Sequence, residues 1–109
     1  MPATTVTLTT AATAYRIHDL ITGTTGGVGH AFPNAPRACR ELSITGDPGN
    51  GAAKVFFGDA SVSAADFGVQ LIAGQGMLLR SDKNDICLIG KFLCSDIDAA
   101  KADVHWECA

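Results

Sequence analysis

Charge is what this sequence has least of. Asp, Glu, Lys and Arg together make up 17% of 109 residues, and the formal net charge is −3. The eight Lys and Arg residues are scattered singly and form no basic stripe, which speaks against direct nucleic-acid binding. Long apolar runs are missing as well: no stretch approaches the ~20 residues that a membrane-spanning helix needs. The opening MPATTVTLTT has neither a basic n-region nor a continuous apolar h-region, so the protein is expected to stay where it is made. Aromatic residues are few, one Trp, one Tyr and five Phe, too few for a sugar-binding face built on stacked rings.

Catalytic and metal signatures are missing too. There is no Cys-x-x-Cys knuckle and no Gly-x-Ser-x-Gly elbow, and the Gly-rich segment after Thr22 lacks the Gly-Lys-Ser/Thr ending of a phosphate loop. On paper, Cys87, Cys94, His105 and Cys108 are the set from which a zinc site would be assembled. His105 and Cys108, however, point to opposite faces of one strand by parity. His18 alternates outward and His30 lies in the Gly-rich loop, so neither has a local nucleophile to serve. The carboxylate pairs Asp96 with Asp98 and Asp59 with Asp66 occur in turn segments, where Asp bonds its own backbone; weak Ca²⁺ binding is the alternative there. No catalytic residue, metal ligand or cofactor is assigned. Cys94 and Cys108 fall near strand ends, where a bridge is open to them, and the choice between thiol and disulfide for Cys39, Cys87, Cys94 and Cys108 is left to the structure.

What the sequence does have is short β patterns divided by turn chemistry. Thr4–Thr10 alternates with Val6 and Leu8 on one side and threonines on the other, a thin apolar face that fits an edge strand or an arm. Tyr15–Thr22 reads as a second strand with Leu20 as the exception. The Gly and Pro density of Thr22–Pro36 predicts a long loop. Arg37–Thr45 alternates again, and GDPGNG (46–51) predicts a hairpin pairing Leu42–Thr45 with Ala53–Phe57. In 54–59, Phe56 and Phe57 point opposite ways, one into the core and the other to an edge, a cap or a subunit contact. Ser61–Gly68 is expected to form one helical turn, and Phe92–Lys101 a further excursion. The runs Val69–Ile72, Met77–Leu79 and Ile86–Ile89 predict a meander of two hairpins with Ile86–Ile89 at the centre of a sheet. Ala102, Val104 and Trp106 share one parity and form a terminal strand.

These patterns predict an all-β fold, a compact antiparallel β-sandwich or barrel-like domain. Residues 1–12 form an N-terminal arm or edge strand and 13–109 a single β domain. Low charge and a mean hydropathy of +0.20 imply a surface partly covered by other subunits.

Four segments in order, KVFFGDASVS (54–63), VQLIAGQGM (69–77), NDICLIG (84–90) and ADVHWE (102–107), resemble a group of small virion proteins of tailed bacteriophages. The resemblance spans about Arg37 to Glu107, with Gln75 in place of a frequent Glu and a longer last connection at Cys94–Ala100. It implies a structural subunit, first of all a capsid decoration (cement) protein made in the host cytoplasm and carried on the outer capsid surface of the virion. Its partners would be the major capsid protein and its own copies as a homotrimer, with no nucleic acid, no membrane and no catalysis. A neck, head-fibre or tail component, or a carbohydrate- or receptor-binding β module, is the alternative. In the decoration reading, the Thr-rich arm Pro2–Thr10 adds a strand to a neighbour and the loop Gly23–Pro36 conforms to the shell.

Overall fold

The alternation at the end of the chain survives intact in three dimensions. In the computed structural model, which describes residues 3–23, 32 and 34–108, Ala100–Glu107 is a strand whose side chains alternate inward and outward along its whole length. Ala100, Ala102, Val104 and Trp106 face the core. This last strand, β10, is flanked on one side by β1 (Ala3–Leu8) and on the other by β4 (Glu41–Gly46), and β4 carries β7 (Gly76–Arg80) at the far edge. A second sheet is built from β2 (Tyr15–Arg16), β9 (Phe92–Ser95), β5 (Val55–Gly58) and β6 (Val69–Leu71), in that order. Two short strands, β3 (Ala38–Cys39) and β8 (Ile86–Cys87), pair with each other alone.

Each sheet contributes one apolar face to a shared core. Val6, Leu8, Leu42, Ile44 and Val104 come from the first sheet, and Val55, Leu71 and Leu93 from the second. The fold is an all-β sandwich. If the eight principal strands are counted in chain order, the sheets run first, eighth, third, sixth and second, seventh, fourth, fifth. That is the jelly-roll order: a long hairpin folded over on itself, with every pairing antiparallel.

This order corrects several local expectations. GDPGNG does not close a hairpin, because β4 and β5 lie in different sheets and the segment 47–54 carries the chain between them. Asp47 still caps the turn, accepting from Gly49 N at 2.8 Å. Likewise β6 and β7 are not hairpin partners. Residues 72–75 cross from sheet to sheet, tied by Gln75 N to Ile72 O (2.9 Å) and by Gly74 N to Gly46 O (2.8 Å). Gly46 permits that crossing, since a Cβ there would stand 2.5 Å from Ile72 O. Nor is Ile86–Ile89 a central strand. β8 pairs with β3 beside the place where β7 pairs with β4, so 82–85 is an outward excursion along one sheet edge.

Residues 17–22 are helical, not extended: α1 (Ile17–Thr22) buries Ile17, Leu20 and Ile21 and ends at Gly23 with φ 77°. Leu20, the residue that broke the alternation, completes an i, i+3, i+4 face. Phe92–Ser95, expected as an excursion, is the inner strand β9, and 61–68 holds a turn closed by Ser63 and Asp66 rather than a helix.

β1 is an edge strand in this chain's own sheet and not a free arm. It pairs with β10 from Ala3↔His105 to Leu8↔Ala100, and Val6 and Leu8 are fully buried. Thr4 shares their side, and its Oγ1 is buried without a partner among the described residues. An unpaired buried hydroxyl costs about 1–3 kcal/mol. Thr4→Val keeps the branched shape and removes that penalty, so the variant is expected to gain about 1 kcal/mol, read as a higher urea midpoint at unchanged m.

Candidate interaction surface

The two outer faces of the sandwich differ in chemistry. On the first sheet the outward side chains are polar: Thr5 Oγ1 donates to Asp103 Oδ1 at 2.7 Å, and Arg80 pairs with Glu41 at 3.3 Å. Leu78, 51% exposed, is the large apolar exception. An open groove of about 320 Å³ runs along this face, lined by Ala3, Thr4, Thr5, Asp103 and His105. It is of mixed chemistry, open, and without a Phe, Tyr or Trp platform.

The outer face of the second sheet is apolar. Alternation in β5 sends Phe57 to the core and Phe56 outward, where Phe56, Val62 and Cys94 form a second buried cluster flanked by Ala14 and Phe92. The loop 59–68 folds over this cluster and lays Phe67 on Phe56, with ring centroids 5.0 Å apart. Phe67 itself is 41% exposed, so the cover presents an aromatic ring to its surroundings. Beside it the Arg16 guanidinium lies over the Phe92 ring at 5.2 Å.

The loop is held by short polar bonds. Asp59 Oδ1 accepts from Ser61 N at 2.9 Å and stands 2.6 Å from Ser61 Oγ, which also stands 3.1 Å from Asp66 Oδ2. The Ser61 hydroxyl and N–H hold the Asp59 carboxyl below the usual carboxylate range. Ser63 Oγ accepts from the N–H groups of Ala65 and Asp66. Asp96 and Asp98 act in the same way elsewhere, accepting from Lys54 N and Ala11 N.

The four residues weighed for zinc are not gathered at one point, although Cys87 pairs with Ala38 and Cys108 Sγ stands 3.8 Å from Ala38 O. Cys94 lies on the outer face of the second sheet, His105 on the outer face of the first, and Cys108 at the end of β10. Among the described residues no group of three His, Cys, Asp or Glu side chains could hold a metal ion. His18 lies on α1 with Nε2 3.3 Å from Ala35 O, while His30 and most of the Gly-rich loop lie outside the described residues. No family model, curated protein or solved structure matches the chain.

Sequence patterning set Phe56 and Phe57 on opposite faces without choosing which turns outward, and it missed the company Phe56 keeps. Phe67 sits in a turn with no periodicity, and Arg16 and Phe92 become neighbours only through the β2–β9 pairing.

The described structure holds all four cysteines as thiols. Cys39 is pushed up to about 11, first by burial and then by the nearby Cys108, and burial also raises Cys94. The unfolded Cys39 thiol ionises near its ordinary 9.0 while the folded one stays neutral to about 11. Stability is therefore intact below pH 9 and falls as pH rises through that window, by roughly 2–3 kcal/mol from this group. In urea titrations at pH 8.5 and 11, Cys39→Ala is expected to lose less stability than the parent by about that amount; equal losses would refute the assignment.

Proposed function

We propose that this chain is a structural protein of a tailed-bacteriophage virion, a decoration (cement) protein that seats on the outer head surface and stabilises the shell by bridging neighbouring capsomers. The single observation that supports it most is the apolar outer face of the second sheet, where Phe67, exposed, caps Phe56 next to Phe92 and Arg16. Exposed aromatic area with an Arg beside it suits an interface core, with the exposed Asp59 and Asp66 of the same loop at its polar rim. The virion assignment itself rests on the resemblance of residues 37–107 to small phage virion proteins. The jelly-roll order is compatible with it but is shared by viral coat, lectin and cupin domains and does not choose among them.

In this reading the partners are the major capsid protein and the chain's own copies, arranged as a homotrimer at three-fold positions. Binding there repeats a modest contact over many sites. The work is burial of surface, and no covalent chemistry is required.

The test is stoichiometry in purified particles, with the protein located by cryo-EM and binding to undecorated heads measured for Phe67→Asp. Hundreds of copies on the outer head, and at least about tenfold weaker binding by the variant, are expected, because a charge in an apolar interface is left unpaired. A few copies at one vertex or on the tail replace the decoration role with a neck or host-binding one. Absence from particles refutes the virion reading; binding on a glycan array would then favour a carbohydrate-binding module.

A further inference from the structure

Two of the four cysteines meet at the corner where β3 runs into β4. The ladder between β4 and β10 is in register to Glu41↔Glu107. One residue further, Arg40 N donates to Glu107 O at 2.9 Å, so Arg40 and Glu41 both oppose Glu107 and the strand carries a β-bulge. The Arg40 guanidinium and the Glu107 carboxylate pair at 3.4 Å beside it. The ladder ends at Glu107, and the bulge shifts the register by one, so that continuing it would set Cys39 against Cys108. Cys39 is fully buried in the core, and Cys108 follows the inward parity of Val104 and Trp106. Cys108 Sγ stands 3.8 Å from the carbonyl oxygen of Ala38, the residue adjoining Cys39.

We infer that Cys39 and Cys108 are a redox pair that closes into a cross-strand disulfide on oxidation. Opposed residues in an antiparallel pair have Cα atoms ~4.5–5.5 Å apart, within the range a disulfide spans. The exposed Cys108 is the entry point and the buried Cys39 the resolving thiol. With a small-molecule disulfide as oxidant, the Cys108 thiolate attacks one sulfur and expels the other half as a thiolate. Cys39, on losing its proton, attacks the Cys108 sulfur of the mixed disulfide and expels the second half. The sum is one protein dithiol plus one small disulfide giving one protein disulfide and two small thiols. The bond staples the end of β10 to β3 and closes most of the sandwich into one covalent loop, which raises resistance to unfolding. Excess thiol keeps the pair reduced in a thiol-rich compartment, and it closes after release into an oxidising one.

The test uses the full chain treated with oxidised glutathione. Trypsin places each cysteine on its own peptide, and the expected product is 38–40 joined to 102–109, with the intact mass lower by about 2 Da. The midpoint of thermal unfolding is expected to rise by roughly 10 °C or more. Cys108→Ser and Cys39→Ala abolish both changes, and Cys87→Ser keeps both. A bridge joining 84–91 to 102–109, a lasting glutathione adduct on Cys108, or unchanged thiols would each overturn the pairing. Particle binding plays no part in this assay, so its outcome is separate from that of the decoration reading.

Discussion

A chain lacking residues 1–10 is expected not to fold. β1 contributes Val6 and Leu8, both fully buried, at about 1.5–3 kcal/mol each, and it covers one edge of β10 along six paired residues. Removing it also uncovers part of the core around Ala102 and Val104, its inward partners across the ladder. The summed loss is on the order of 5 kcal/mol or more, comparable to the whole stability of a domain this size. The arm of the decoration reading implies the reverse, a truncated chain that keeps its fold and loses only its shell contact. The two outcomes separate in one experiment: far-UV circular dichroism and urea unfolding of the truncated protein. A cooperative transition with the parent's m-value would restore the arm. Thr5→Ala, which removes the exposed bond to Asp103, serves as a control and is expected to change stability by less than about 1 kcal/mol.

The contrast shows which parts of this fold are local. Alternation in β1 and β10 is visible residue by residue, because Val6 and Leu8, or Val104 and Trp106, reach the core whichever neighbour they pair with. The split of Phe56 and Phe57 is equally local. Pairing is not. In a folded-over hairpin β4 takes β10 and β7 as neighbours, both far along the chain, while the turn after it merely changes sheets. GDPGNG and 72–75 carry genuine turn chemistry, but a turn between sheets and a turn between paired strands use the same Gly, Asn and Asp conformations. The crossing at 72–75 needs the close approach of Ile72 O to Gly46, and that contact has no signal in either segment. The Cys39–Cys108 opposition is hidden for the same reason: it depends on one extra residue, Arg40, in a register set by β10. The short helix is a milder case, since Leu20 marked it and only the choice of period was at fault.

Trp106→Ala is the second large effect expected. Trp106 is 2% exposed, pairs across the ladder with Leu42, and meets the Phe32 ring edge-on at 5.2 Å and 88°. Truncation removes the largest inward side chain of β10 and leaves a void that neighbouring strands, fixed by their ladders, cannot collapse to fill. Trp-to-Ala changes in cores cost about 3–5 kcal/mol, which for a domain of this length lowers the unfolding midpoint by roughly 15 °C or more. Trp106→Phe keeps the aromatic contact and is expected to lose less than half of that. Part of the cost belongs to the pair. Phe32 N donates to Ile21 O at 2.8 Å, so Phe32 links the end of α1 to the end of β10. A double-mutant cycle of Trp106→Ala with Phe32→Ala is expected to show a coupling of about 0.5–1.5 kcal/mol. Strict additivity would mean that Phe32 merely covers the indole and is itself anchored by its backbone bond to Ile21 O alone. A positive coupling places the anchor in the aromatic pair, and the position of Phe32 against the sandwich then depends on Trp106.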